Sequence, residues 1–215
     1  MPDIPIPCLA LVTDRALCEP DSLARQVQRA VTGGVDLVQL REKALPGGEL
    51  LTLARDLRDV TRGKALLLVN DRVDVALACG ADGVQLAEDG LPPAEARRLL
   101  GPGLLIGRSV HSVEGAVRAE VDGADFLVLG TVFPSPSHPT GEVTGPSLVA
   151  RVRQAVGLPI LGIGGITAHN VASVIAAGGQ GAAVISAIIG TPDPTHAAAE
   201  LREAMVAAWV RRQPQ

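Results

Sequence analysis

An α/β chain of 215 residues closed into one (β/α)8 barrel (the TIM barrel) is the fold that this sequence predicts, and three observations predict it. Eight short runs rich in branched aliphatics alternate with helical stretches from end to end. A helix-to-strand tag recurs as Gly33-Gly34-Val35-Asp36, Gly80-Ala81-Asp82-Gly83, Gly123-Ala124-Asp125 and Gly178-Gly179-Gln180-Gly181. Its irregular period suits a (βα) repeat and not a solenoid. Apolar residues make up 47% but aromatics only 1%, so Val, Leu, Ile and Ala must build the core, as in strands buried on both faces. An open doubly wound sheet is the alternative, and eight alternations favour closure.

The first strand, Cys8–Thr13, leads to a helix over Ser22–Thr32, with Ser22 at the N-cap and Gly33-Gly34 ending it. Asp36–Leu40 is followed by Gly48–Thr61, and Ala65–Asn70 by the short Val73–Cys79, stopped at Gly80. Gly83–Leu86 pairs with Pro93–Leu100, and Leu104–Gly107 with Val113–Val121, capped by Ser112 and ended near Gly123. Phe126–Gly130 opens the one long loop, Phe133–Pro146, before the helix Ser147–Val156. A loop of that length in a compact domain is usually functional. Ile160–Ile163 precedes a helix over Ala168–Ala177 with Thr167 at its cap, and Ala182–Ser186 precedes Thr195–Arg211. No Pro/Ser linker divides the chain, so residues 1–215 read as one domain.

Composition excludes several functions. A formal net charge of -4 gives no reason to expect nucleic acid or a membrane surface as partner, and the few aromatics offer nothing for bases to stack on. Cys8, Cys18 and Cys79 are widely spaced and lack CxxC pairing, which suits reduced thiols better than disulfides or zinc. Met1-Pro2-Asp3-Ile4-Pro5 has no signal-peptide character, and the apolar runs are too short to span a membrane. A cytoplasmic protein acting on small molecules is expected, with self-association left open.

In such a barrel the strand ends carry the chemistry. Val38-Gln39-Leu40 runs straight into Arg41-Glu42-Lys43. Most such triplets are solvated charge pairs, but a rigid Arg fork and a compact ammonium directly after a barrel strand suit a diphosphate. Asn70-Asp71 suits the N-cap of the short helix in part, and Asp71 also suits a Mg2+ ligand. Gly162-Ile163-Gly164-Gly165-Ile166 and Val184-Ile185-Ser186 end adjacent strands with bare backbone and a hydroxyl, a pairing that suits phosphate. Ser109, His111, Asp89 and the Ser135, Ser137, His138 loop complete the face, whereas His169 and His196 fall in helices and receive no role. No nucleophile–His order and no His/Cys ligand spacing stands out, which disfavours hydrolysis by an activated nucleophile.

Taken together, Leu11-Val12-Thr13-Asp14, Val38–Lys43, Asn70–Leu77, Ser109-Val110-His111-Ser112, Gly130–Pro134 and Ile163–Ile166 resemble the thiamine phosphate synthase family and its relative, the TenI-type thiazole tautomerase. The resemblance implies a transferase of thiamine biosynthesis that joins hydroxymethylpyrimidine diphosphate to thiazole phosphate. Ionisation of the pyrimidine C–O bond releases diphosphate, and the thiazole nitrogen captures the cation. It implies that Gln39, Arg41, Lys43 and Asn70 hold the pyrimidine diphosphate, that Asp71 binds Mg2+, and that Ser109 contacts substrate. Gly165 and Ser186 would hold the thiazole phosphate.

Three departures stand out. Where the synthase pattern reads His-Leu-Gly-Gln-x-Asp-Leu-Pro, this chain has Gln85-Leu86-Ala87-Glu88-Asp89-Gly90-Leu91-Pro92, so the second Mg2+ carboxylate position is Gly90, with Asp89 one place early. The loop Thr-x-Thr-Lys becomes Ser135-Pro136-Ser137-His138, which exchanges a permanent cation for a histidine. Ile106–Ser112 and Val84-Gln85-Leu86 look more like the tautomerase, yet the tautomerase acid/base histidine is Thr131 here, with His111 or His138 as stand-ins. Gln39, Arg41, Lys43, Asn70 and Asp71 favour the synthase, with the tautomerase or a non-catalytic thiazole phosphate binder as alternatives.

Overall fold

The computed structural model describes residues 3–19, 21–135 and 143–212. In chain order they form β1 (Cys8–Val12), α1 (Leu23–Thr32), β2 (Leu37–Leu40), α2 (Gly47–Thr61), β3 (Leu66–Asn70), α3 (Val73–Cys79), β4 (Gly83–Leu86) and α4 (Pro93–Leu100). The second half repeats the alternation as β5 (Leu105–Val110), α5 (Val113–Val121), β6 (Phe126–Leu129), α6 (Gly145–Ala155), β7 (Ile160–Ile163), α7 (Val171–Ala176), β8 (Gly181–Val184) and α8 (Pro194–Arg212). Every strand pairs in parallel with its sequence neighbours, and β8 pairs with β1 through Cys8↔Gly181 to Leu11↔Val184. The sheet is therefore the closed barrel and not the open alternative. No helix among the described residues is long and apolar enough to cross a membrane.

The period-2 alternation of strand side chains splits the core in two. Outward-facing residues such as Leu9, Leu11, Val38 and Leu40 pack under the helices, while Ala10, Val12, Leu37, Leu68, Phe126 and Leu161 fill the barrel. Phe126 is the largest fully buried side chain, and Gly107 on the next strand leaves the room that its ring and Gln85 need. Burial pushes the thiols of Cys8, Cys18 and Cys79 above their ordinary range, Cys18 to about 11, so none is a ready nucleophile.

Two helix starts follow the expected caps. Ser22 Oγ accepts from the Arg25 N–H at 3.3 Å and Ser112 Oγ from the Gly115 N–H at 2.9 Å. Thr167 does not cap α7. Its own N–H is taken by Asn170 Oδ1 at 2.9 Å, and the helix begins only at Val171. The sixth helix starts at Gly145, because proline at position 146 is tolerated in a first turn. One short 3-10 turn, Arg15–Leu17, was not expected; Asp14 caps it by accepting from the Ala16 N–H.

The recurrent tag acquires a physical reason at the N-terminal ends of the strands. Asp36, Asp82 and Asp125 each accept a backbone N–H from the preceding strand, from Leu9, Leu67 and Ile106 at 2.9, 2.8 and 2.7 Å. Each is also paired to an arginine on an even-numbered helix: Arg202 of α8 at 2.6 Å, Arg58 of α2 at 2.6 Å and Arg97 of α4 at 2.7 Å. In the fourth tag Gln180 accepts from Arg153 of α6 at 3.2 Å. Four such clasps tie the helical layer to the barrel. Arg58 and Asp82 are only 16% and 21% exposed, so Asp82→Ala strands a cation and an N–H together. It should cost about 3 kcal/mol in denaturant unfolding. Breaking the exposed Arg98–Glu95 pair (75% and 47% exposed) should cost well under about 1 kcal/mol by the same measurement.

Candidate active site

The strand C-termini enclose a cavity of about 750 Å³, within the range of small-molecule sites. Its two walls differ in chemistry. Polar side chains from β2 to β5 make one, namely Gln39, Asn70 and Ser109 with Arg41 and Lys43 above them. Val12, Val128, Ile163, Ala183 and Ile185 make the other, roofed by Gly164-Gly165 and Ser186.

On the polar wall, side-chain amides form a fixed chain. Gln39 Nε2 donates to Asn70 Oδ1 at 2.8 Å, and Asn70 Nδ2 donates to Asp71 Oδ2 at 2.7 Å. Asp71 Oδ1 accepts from the Ala87 N–H at 2.7 Å, across to the loop after β4. Asp71 therefore does not cap α3; Arg72 holds the cap position without a side-chain bond, and Asp71 has φ 56°. Its carboxylate stands behind Asn70, outside the cavity lining, and a Cβ at Gly90 would lie 2.8 Å from Oδ1. Gly90 is thus beside Asp71, while Asp89 lines the cavity. Next along, Gln85 is 1% exposed and donates to Ser109 Oγ at 3.1 Å.

Arg41 and Lys43 line the cavity, and among the described residues neither forms an ion pair. Glu42 between them turns the other way. Its side chain is 7% exposed and accepts from Thr13 Oγ1 at 2.9 Å and from the Arg15 N–H at 3.1 Å. At the cavity mouth His111 Nδ1 is hydrogen-bonded to a Glu88 carboxylate oxygen, and both residues line the cavity. Glu88 follows β4 and His111 follows β5, and the adjacency of these strands brings the two together.

On the apolar wall, Gly164 and Gly165 have φ of 101° and 59°. Asn170 Nδ2 donates to the Gly165 carbonyl at 2.9 Å and holds this turn. Among the described residues the N–H groups of Gly165, Ile166, Ser186 and Ala187 find no acceptor, so two adjacent strand ends offer free donors. Thr131 lines the cavity between the walls, and Ser135 lies at its edge. Ser137 and His138 lie outside the described residues.

Free cations after β2, free N–H donors after β7 and β8, and one cavity between them define a (β/α)8 barrel enzyme class acting on anionic, phosphate-bearing small molecules. Comparison with known proteins narrows the class. The family model described as thiamine monophosphate synthase matches residues 9–188, and the chain belongs to that family. It is 48% identical over 202 residues to the thiamine-phosphate synthase of Methanoculleus marisnigri, covering 93% of this chain and 96% of that one. It is 49% identical over 195 residues to a putative thiamine-phosphate synthase of Geobacter sulfurreducens, covering 90% and 92%. The solved thiamine phosphate pyrophosphorylase of Pyrococcus furiosus superposes with a TM-score of 0.85 at 40% identity, covering 94% of this chain and 96% of that one.

Proposed function

We propose that this chain is a thiamine phosphate synthase, joining hydroxymethylpyrimidine diphosphate to thiazole phosphate with release of diphosphate. The observation that carries this reading is the pair of separate anion sites on one cavity, cationic at Arg41 and Lys43, neutral at Gly165 and Ser186. A diphosphate calls for the first and a monophosphate for the second. On this reading the Gln39–Asn70 chain and Ser109 orient the pyrimidine, and Arg41 and Lys43 take up the charge that builds as the C–O bond ionises. The thiazole lies against Val128, Ile163 and Ala183, its phosphate on the donors after β7 and β8, which aims its nitrogen at the cation. No nucleophilic side chain is needed.

Mg2+ fits this donor set as a partner of the diphosphate and not as a caged ion. Among the described residues no three His, Cys, Asp or Glu converge, and Mg2+ ordinarily takes one or two carboxylates with phosphate oxygens and waters. Asp89, which lines the cavity, would hold it, backed by Asp71, whose carboxylate lies outside the lining on the Ala87 N–H and Asn70. When bound it would neutralise leaving-group charge. Phosphorylated, water-soluble substrates also suit a cytoplasmic setting.

The test is an assay of purified protein with both substrates, with Mg2+ or with chelator. Mg2+-dependent diphosphate release that requires thiazole phosphate is expected. A second reading, thiazole tautomerase, is favoured by the Glu88–His111 pair, which diphosphate displacement does not need. Metal-independent isomerisation of the carboxylated thiazole phosphate, without diphosphate release, would replace the first reading by the second. Tight thiazole phosphate binding without turnover would replace both.

A further inference from the structure

Glu42 stands between two cations and pairs with neither. Adjacent Arg-Glu-Lys side chains on a solvated loop would be free to neutralise one another, but here the carboxylate is drawn to the opposite side by a short relay. The Arg41 N–H donates to Thr13 Oγ1 at 2.9 Å, Thr13 Oγ1 donates to Glu42 Oε1 at 2.9 Å, and the Arg15 N–H donates to the same oxygen at 3.1 Å. Thr13 is fully buried at the end of β1, locked by its own N–H to the Gln39 carbonyl at 3.0 Å. The only guanidinium within 4.0 Å of the Glu42 carboxylate among the described residues is that of Arg15, on a 56% exposed side chain. One hydroxyl thus fixes the backbone at Arg41 and decides where the Glu42 charge goes.

We propose that Thr13 and the Arg15 backbone sequester the Glu42 carboxylate, and that this sequestration keeps Arg41 and Lys43 free to bind the diphosphate. The proposal rests on the reading of Arg41 and Lys43 as the diphosphate site. Burial pushes the Glu42 carboxyl above its ordinary range, while the bonds from Thr13 and Arg15 pull it back. A carboxylate desolvated in this way stays only while those donors hold it. Without the Thr13 hydroxyl it has reason to turn toward solvent, where its neighbours in the chain are the two substrate cations. Thr13 and Glu42 are then positioning residues: they touch no substrate and act by withholding a competing anion.

Charge sequestration and a purely structural role of Thr13 give opposite outcomes in a double variant. Calorimetry with inorganic diphosphate in the presence of Mg2+ reads the cation site directly, and KM for each substrate reads it in turnover. Thr13→Val should weaken diphosphate binding by roughly tenfold or more, since a freed carboxylate competes at close range. Thr13→Val with Glu42→Gln should recover most of that loss, to within about threefold of wild type, because the anion is gone. Thr13→Ser, which keeps the hydroxyl, should bind like wild type, and KM for thiazole phosphate should stay constant throughout. Should Thr13→Val fail to fold, Glu42→Asp gives the same answer: its charge remains but no longer reaches Thr13, so it should bind diphosphate more weakly than Glu42→Gln. A double variant as weak as Thr13→Val, or Asp binding better than Gln, overturns the sequestration alone. Equal diphosphate binding by wild type and Arg41→Ala would remove the site reading itself, and this inference with it.

Discussion

Replacing Arg41 with alanine should lower Mg2+-dependent diphosphate release by roughly 100- to 1,000-fold, the range for losing one preorganised donor to a charge that develops in the transition state. Arg41 follows the last residue of β2, lines the cavity, and has no ion-pair partner among the described residues, so its full charge is available to a ligand. The guanidinium also offers a planar fork that a diphosphate can accept bidentately, which an ammonium does not reproduce. Arg41→Lys should therefore recover only a small part of the loss. KM for thiazole phosphate should be unchanged, because the donors proposed for it lie after β7 and β8. Steady-state kinetics with each substrate varied in turn makes the check; unchanged diphosphate release in Arg41→Ala would remove Arg41 from the mechanism.

Gly165→Ala should act on the opposite wall, with KM for thiazole phosphate rising more than about tenfold. The backbone there has φ 59°, and a Cβ would overlap the Pro134 carbonyl oxygen and lie 2.9 Å from Phe133 Cβ. Neither contact is the loose end of a flexible side chain, so the loops after β6 and β7 must part and the free N–H groups move with them. A left-handed alanine also costs about 1–2 kcal/mol, which thermal unfolding should register. Ser186→Ala, losing one exposed hydroxyl and no backbone geometry, should raise the same KM by only a few-fold. Equal KM values in Gly165→Ala and wild type would show that the phosphate sits elsewhere.

What the sequence disclosed and what it concealed divide by range. Ser22 and Ser112 were readable as caps because a cap is settled within three residues of the helix start. The strands were readable because period and composition are local, although β5 runs to Val110 and so brings Ser109 into the barrel wall. Asp71 was ambiguous from sequence, since its carboxylate is engaged by Ala87, sixteen residues on, across a strand pairing. Thr167 misled because Asn170 reverses the usual roles and caps the threonine. Glu42 looked like part of a solvated triplet, and only the neighbouring end of β1 reveals the hydroxyl that turns it inward. Family resemblance attached expected roles to strand-end residues that position had already picked out, but it carried no information on Glu88, which departs from the family's glutamine and meets His111.

The four clasps at the other end of the barrel have an evolutionary consequence. Each joins a helix to the connection before a strand two units further on, and the last, Arg202 to Asp36, spans 166 residues to close the circuit. A circuit of this kind has no first member: circularly permuting the chain within any active-face loop would leave all four links intact. None of the eight clasp side chains lines the cavity. Substitutions on the active face can therefore accumulate without loosening the closure of the barrel. The architecture gives its loops freedom to drift toward new ligands while the ring beneath them keeps its shape.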